Sequence, residues 1–464
     1  MRRRLGVLAL IALPLLEAAC ARKPPPRPRV SEDLERSPVE WLAMEPVRML
    51  RDYVRIDTTP ARGEREGAEF LQRFFECEGI ESELVCPAPG RCNVLARIPG
   101  RRREGALLLL NHIDVVEAFP QFWKEAPFEG TIKHGFLYGR GVYDMKSLGL
   151  AQALAMAAVR RRGIVPGTDI LFLAEADEEI GQHWGTRWLL ENRPEWFDGI
   201  GQVLNEGGLT EVILRDVVFW GVETIQAGYG LLEFSAASEQ PLERLQAEFP
   251  RVSAPPVKPH PHVVIGFDLL ANRMASPLTD PLRHLDRVMG DPRELAILPD
   301  RYGSFLEPRL SWSLVYRHPD HMDQARRYVT VSVPPGVSPA PFLAPIRAAA
   351  KREGVAILTD VVSEATSASP WPTAFTELLS RVTEAHSPGV PLGPLPTYGG
   401  YTTSILLRRR GIPTYGYQPI AMNITDAARR HGNDERVFLR DYVDGVEILS
   451  DVVLEFASSP PGSK

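Results

Sequence analysis

The sequence predicts an α/β fold: a mostly parallel sheet with helices on both faces, plus an inserted, smaller α+β lid or dimerisation domain. Three observations predict it. Residues 106–116, ALLLLNHIDVV, are apolar with no helical period, which reads as a strand buried on both faces. Similar runs at 169–174 and 202–204 alternate with helical stretches, the pattern of a parallel sheet covered on two sides. After Gly228 the texture changes to strands at 231–237, 310–317 and 328–333 and helices at 261–274 and 341–352, with a Pro-rich stretch at 253–262.

Taken in order, the chain opens with Arg2, Arg3 and Arg4 before an apolar run at 5–16. That run is too short to span a bilayer and suits a signal peptide, placed at 1–21. Ala18, Ala19 and Cys20 resemble a bacterial lipoprotein processing site, although Glu17 stands where Leu is usual; cleavage near Ala19 or Ala21 is the alternative. The expected location is therefore exported, either periplasmic or anchored to a bacterial membrane by a lipid on Cys20. Residues 22–36 read as a Pro-rich tether. Helices follow at 41–56 and 64–77, the second ended by Gly79, then a strand at 93–98. Cys86 and Cys92 flank a Pro-Ala-Pro-Gly turn and are the favoured disulfide; three free thiols, with Cys77, is the alternative. Residues 135–141 read as a loop, 146–162 as a long helix and 185–192 as another helix. A helix at 373–385, the segment 411–416 and a last helix at 441–456 return to the first texture. The catalytic domain is thus expected in two parts, 37–228 and 364–457, around an insert at 229–363, with a disordered tail at 458–464. The 464 residues carry 53 Lys+Arg against 59 Asp+Glu, a formal charge of -6, which gives no sign of a nucleic-acid surface.

Potential ligands cluster where strands end: His112 and Asp114, Asp144, Glu178 and Glu179, Glu206, and His431. Each has a plain reading. His112 and Asp114 could be a solvated strand end, and Asp144 a helix cap. Glu178 and Glu179 could be an acidic turn, Glu206 an arginine partner and His431 a surface residue. Together, two histidines and several carboxylates are a donor set for zinc, with cobalt or manganese as substitutes. Zinc lowers the pKa of bound water to about 7 and polarises a carbonyl, and a nearby carboxylate can move the water's proton to a leaving nitrogen.

The motifs HIDVV, YGRGVYDMK, EADEEIG, NEGG and HGNDERV, in this order, resemble a family of dinuclear zinc amidohydrolases. It includes aminoacylase, carboxypeptidase G, Gly-X carboxypeptidase and succinyl-diaminopimelate desuccinylase. FWKEAPFEGTIKHGFLYGRG and GIPTYGYQPI are most similar to its Gly-X carboxypeptidase and N-acyl-amino-acid hydrolase branch. The resemblance implies cleavage of an amide bond in a small peptide or N-acyl amino acid. It implies two zinc ions bridged by Asp144, with His112 and Glu206 on one and Glu179 and His431 on the other. It makes Glu178 the general base and Asp114 the residue holding His112, and it implies a cis peptide at Asp144–Met145 and a homodimer through the insert.

The substrate-holding positions depart from the family. Arg251 stands where a histidine is expected, with His260 and His262 nearby as substitutes. Ser332 replaces an arginine. In GGYTTSIL, which includes Gly400 and Thr402, Thr403 replaces an aspartate. Arg251, Gly400 and Thr402 are the candidate substrate contacts. The altered clamp leaves open a binding lipoprotein without catalysis on the same fold.

Overall fold

The computed structural model describes residues 30–251, 257–319, 321–363, 367–397 and 402–459. The signal segment, Cys20 and Gly400 lie outside them. The central sheet has six strands in the order Glu81–Ala88, Arg91–Ile98, Ile170–Glu175, Ala106–His112, Ile200–Asn205, Thr414–Gly416. The first two pairings are antiparallel and the last three parallel. Every residue of Ala106–His112 is buried, and its side chains divide between two cores. Leu107 and Leu109 join one, with helices Arg65–Cys77, Ser147–Arg161 and Leu439–Ser458. Ala106, Leu108 and Leu110 join the other, with Leu189, Trp196 and Ile405. A strand with apolar neighbours on both sides has no place for alternation, hence the unbroken run of leucines.

The second sheet is antiparallel, in the order Arg309–Trp312, His321–Val333, Gly228–Ala236, Ala356–Ser363, with Tyr316–His318 also paired to the long strand. Helices Gln240–Glu248 and Ala340–Arg352 bury Leu242, Leu245, Leu343 and Ile346 against it. The helical stretch from Pro261 to Leu306 does not share that core. Val263, Phe267 and Tyr302 pack with Phe219 and Leu395, which belong to strands and loops flanking the insert.

Several local expectations are corrected. Residues 30–35 of the expected tether form a helix, and Asp33 within it is buried against Arg36 at 3.4 Å. The expected helix at 41–56 is two helices, because Pro46 opens a new first turn. The loop at 135–141 contains a strand, Phe136–Tyr138, and 310–317 holds two strands instead of one. Ser458, expected in the tail, is the last residue of the final helix. Cys86 and Cys92 are disulfide-bonded and Cys77 is a free, exposed thiol. The Asp144–Met145 peptide is cis. Among the described residues no helix is long and apolar enough to cross a membrane.

Candidate metal centre

Three parallel strands deliver ligands at their C-terminal ends, where open α/β sheets build their sites. His112 ends its strand, Glu206 follows Asn205, and Glu178 and Glu179 follow Glu175 by a short turn. Asp144 lies in the irregular turn Val142–Lys146 that leads into helix Ser147–Arg161, with non-helical backbone at Asp144 and Met145. Gly141 opens that turn at φ +75, and a Cβ there would meet Val115 Cγ1 at 2.2 Å, so no other residue fits. His431 comes from the far end of the sequence.

These five side chains converge. His112 Nε2 is 3.2 Å from Asp144 Oδ1 and 3.9 Å from Glu206 Oε1. His431 Nε2 is 3.0 Å from Asp144 Oδ2 and 3.1 Å from Glu179 Oε1. The ligand atoms form two groups, His112 with Asp144 and Glu206, and Asp144 with Glu179 and His431, each spanning no more than 4.8 Å. Asp144 belongs to both and turns one oxygen to each histidine. Glu178 lies beside them, buried, and its Oε1 has no hydrogen-bond partner. An orphaned carboxylate oxygen in a nest of other carboxylates is costly in protein alone. Imidazole and carboxylate donors in two triads sharing one bridging carboxylate fit a pair of divalent cations.

The protonation pattern of the chain itself points the same way. Burial pushes Glu178 well above the usual carboxylate range; Glu206 and Glu179 add to the effect and His112 opposes it. Burial and the charge of Asp144 raise Glu206 to about 8. Burial would also raise Asp144, but hydrogen bonds to His112 and His431 hold it well below its ordinary value. For His431, burial is outweighed by Glu179 and Asp144, which carry it up to about 10. Protons thus sit on the nitrogens where cations would bind.

A layer of hydrogen bonds fixes the ligands. His112 Nδ1 lies 2.9 Å from the backbone oxygen of Asp114, so Nδ1 carries the proton and Nε2 faces the cluster. The Asp114 carboxylate is farther from Nδ1, at 3.6 Å, and accepts from the backbone N–H groups of Glu178 at 3.1 Å and Glu179 at 2.9 Å. Asp114 therefore holds His112 through its main chain and the Glu178–Glu179 turn through its side chain. Asp177, which leads into that turn, is left-handed at φ 65. His431 is also left-handed, at φ 58. Such backbone in non-glycine residues gathers at functional sites.

Sequence reading missed the buried pair Arg140–Glu435. The Glu435 carboxylate accepts from Arg140 Nη1 at 2.7 Å and from the backbone N–H groups of Gly141 at 2.9 Å, Tyr143 at 2.8 Å and Asp144 at 3.2 Å. Its signal was a carboxylate four residues after His431.

Of the candidate substrate contacts, Gly400 lies outside the described residues, and neither Arg251 nor Thr402 has a hydrogen bond or ion pair to the five ligands among the described residues. Arg251 is exposed, with no hydrogen bond or ion pair among the described residues. Thr402 Oγ1 accepts from Gln226 Nε2 at 2.8 Å, and Thr403 Oγ1 accepts from Gln182 Nε2 at 2.5 Å while donating to Glu175. His262 Nδ1 is 2.8 Å from Thr224 Oγ1, and burial, with His260 and Arg408 nearby, pulls it down to about 4. His260 caps helix Pro261–Ala271.

Comparison with known proteins adds four findings. The sequence model of Peptidase family M20/M25/M40 matches residues 108–455. Aminoacylase-1 of Sus scrofa is 32% identical over 166 residues, 35% of this chain and 40% of that protein, so the chain spans about two fifths of that relative. Aminoacylase-1 of Homo sapiens is 24% identical over 435 residues, 89% of this chain and 96% of that protein. Among solved structures, human carnosine dipeptidase 1 superposes with a TM-score of 0.66 at 15% identity, over 93% of this chain and 100% of that one. This last likeness speaks for the fold.

Proposed function

The chain belongs to peptidase family M20/M25/M40, and from that premise we propose that it hydrolyses an amide bond in a small peptide or N-acyl amino acid with the help of two divalent cations. The observation that carries the reading is Asp144, whose two oxygens each face a different His–carboxylate pair. His112, Asp144 and Glu206 would hold one cation, and Asp144, Glu179 and His431 the other. The donors suit zinc, with cobalt or manganese as substitutes. When bound, the cations supply an acidified water and polarise the scissile carbonyl.

The chain's own residues do the rest. Glu178 takes a proton from the attacking water and gives it to the leaving nitrogen. Its unpartnered Oε1 is free to receive that proton. Asp114 keeps Glu178 and Glu179 on opposite errands by clamping both of their backbone N–H groups. Burial of the cluster strengthens each of these interactions by excluding water.

The protein is further proposed to be exported, with Cys20 as a lipid attachment point; the Cys86–Cys92 disulfide supports an oxidising compartment. A homodimer through the inserted sheet belongs to the same proposal. The altered clamp around Arg251 and Thr403 favours one competing reading, a binding protein without turnover.

Metal analysis followed by a panel of N-acyl amino acids and end-blocked dipeptides tests the proposal. Two equivalents of metal and hydrolysis that a chelator abolishes are expected. Turnover that survives chelation, or a zinc-loaded protein inert across the panel, overturns it.

A further inference from the structure

We propose that the Cys86–Cys92 disulfide is a switch on this site: through Asn93 it holds the turn that carries Glu178, so that reducing it lowers turnover while the cations stay bound. The inference rests on the hydrolase reading above and adds a regulation of the same site. Asn93 directly follows Cys92 and is fully buried. Its Oδ1 accepts from the backbone N–H of Ala176 at 2.9 Å. Its Nδ2 donates to the carbonyls of Trp184 at 2.8 Å and Val85 at 3.4 Å. Ala176 and Trp184 bracket the turn with Asp177, Glu178 and Glu179. One side chain thus fixes both ends of that turn, and its third bond ties it to the residue before Cys86. Asn93 is in this sense a positioning residue, touching none of the reacting atoms.

The hairpin needs the bond at this place. The pairing of Glu81–Ala88 with Arg91–Ile98 is regular from Glu81 to Val85 and shifts register between Val85 and Ala88. Pro87, inside the shift, has no N–H to offer the ladder. The disulfide spans that gap. The same hairpin also braces the segment around Asp114. Arg91 pairs with Glu64 at 2.6 Å and donates to the Pro60 carbonyl at 2.8 Å, and the Gly90 carbonyl accepts from the N–H groups of Glu64 and Arg65. Two residues before Pro60, Thr58 donates from its hydroxyl to the Ile113 carbonyl at 2.8 Å and accepts at its own carbonyl from the N–H of Val115. Those two contacts flank Asp114.

Both halves of the Asp114 clamp on Glu178 and Glu179 therefore lean on the stapled hairpin. Four of the five ligands, His112, Asp144, Glu206 and His431, come from other segments, so loaded cations should outlast a loosened turn. Reduction adds two electrons and two protons to the S–S bond and leaves two thiols. In a reducing compartment cysteines stay thiols, so the site reaches full activity only where the bond can form.

The test compares the zinc-loaded full chain, at saturating zinc and on the substrate panel above, before and after reduction by a phosphine. The phosphine gives up an electron pair and leaves as its oxide, with an oxygen from water. On reduction kcat should fall roughly 10- to 100-fold with KM and zinc content unchanged, and oxidised glutathione should restore it. The double variant Cys86→Ser/Cys92→Ser should match the reduced parent and ignore the phosphine, which excludes Cys77 as the cause. Asn93→Ala should show the same loss, and reducing it should cost nothing more, because the two changes break one linkage. A kcat indifferent to reduction, losses that add in Asn93→Ala, or zinc lost on reduction overturns the switch. If Asn93→Ala does not fold, the reduced parent and the double cysteine variant decide alone. Hydrogen exchange over residues 176–184 separates the two claims. Faster exchange on reduction, in a protein inert across the panel, sinks the hydrolase reading alone. Hydrolysis that ignores reduction sinks the switch and leaves the hydrolase reading standing.

Discussion

Glu178 and Glu179 are neighbours in sequence with opposite surroundings. Glu179 meets His431 at 3.1 Å, while Glu178 keeps an unpartnered oxygen. Replacing Glu178 by Gln keeps the shape and removes the base. Metal content should stay at the parent level while kcat falls by roughly 100- to 10,000-fold; a variant that turns over at the parent rate would remove Glu178 from the mechanism. The histidines give a second prediction. His431 sits at about 10 in the metal-free cluster, so it enters metal binding protonated. A cation needs neutral rings and ionised carboxylates, so uptake must release protons from the histidines and from Glu206, which lies at about 8, and affinity must rise with pH. Zinc titrations in buffers of different ionisation enthalpy measure the count, and a pH-independent affinity would contradict it. At this scale His112 and Glu206 were legible as ligand types at strand ends, while the grouping with Asp144, Glu179 and His431 came from the resemblance, since Asp144 lies in an irregular turn and His431 far along the sequence. The work of the Asp114 side chain was not legible, since it depends on the left-handed Asp177 that turns two N–H groups towards it.

Among the elements, the turn Val142–Lys146 depends most on residues far away in sequence. Glu435 gathers three of its N–H groups or those of its flank, and Arg140 neutralises Glu435. Glu435→Gln keeps the size but halves the acceptor capacity, so the Asp144 turn should loosen. Zinc affinity should drop on the order of 10- to 100-fold, measured by competition with a coloured chelator. Glu435→Ala should also cost roughly 3–5 kcal/mol of stability, because Arg140 is left buried without a counter-charge. The final helix, Leu439–Ser458, carries a separate pH signal. Burial raises Asp441 to about 7, with Arg215 opposing. An acid whose folded pKa is raised contributes stability below its unfolded value, near 4, and loses it as pH rises through about 7. Asp441→Asn should therefore gain stability over the parent between about pH 5 and about pH 8, read from urea midpoints; a gap between the two proteins that does not widen with pH would refute this. The long periodic helices and both-faces-buried strands were legible from pattern. The short strands Thr131–Lys133 and Phe136–Tyr138 were not, because three residues hold no period and their pairing with Arg436–Phe438 is set by the fold.

For the whole molecule, the question is what the inserted sheet is for. Its last strand, Ala356–Ser363, pairs only with Gly228–Ala236 and stands at the sheet's edge. Ile357, Leu358, Val361 and Val362 are all exposed along it. Apolar side chains on both faces of an open edge are what soluble proteins normally cover or charge. The change of texture after Gly228 announced a second unit that included the helix expected at 261–274, whereas the helices between Pro261 and Leu306 pack on Phe219 and Leu395. Sequence order cannot tell which of two adjacent cores a helix will choose. Helix Ala340–Arg352 reaches the strand through Arg347, which pairs with Asp360 at 2.6 Å, but the strand's outer edge has no paired strand among the described residues. A second copy meeting it edge to edge would continue the ladder and bury those four side chains, which is the dimer proposed above. Val361→Lys places a charge at the middle of that seam without touching the metal centre. Light scattering should then find a monomer where the parent is a dimer, with the metal content and the unfolding midpoint of the parent protein retained. A parent that is monomeric at all accessible concentrations, or a variant that stays dimeric, would leave this edge without a partner of its own kind.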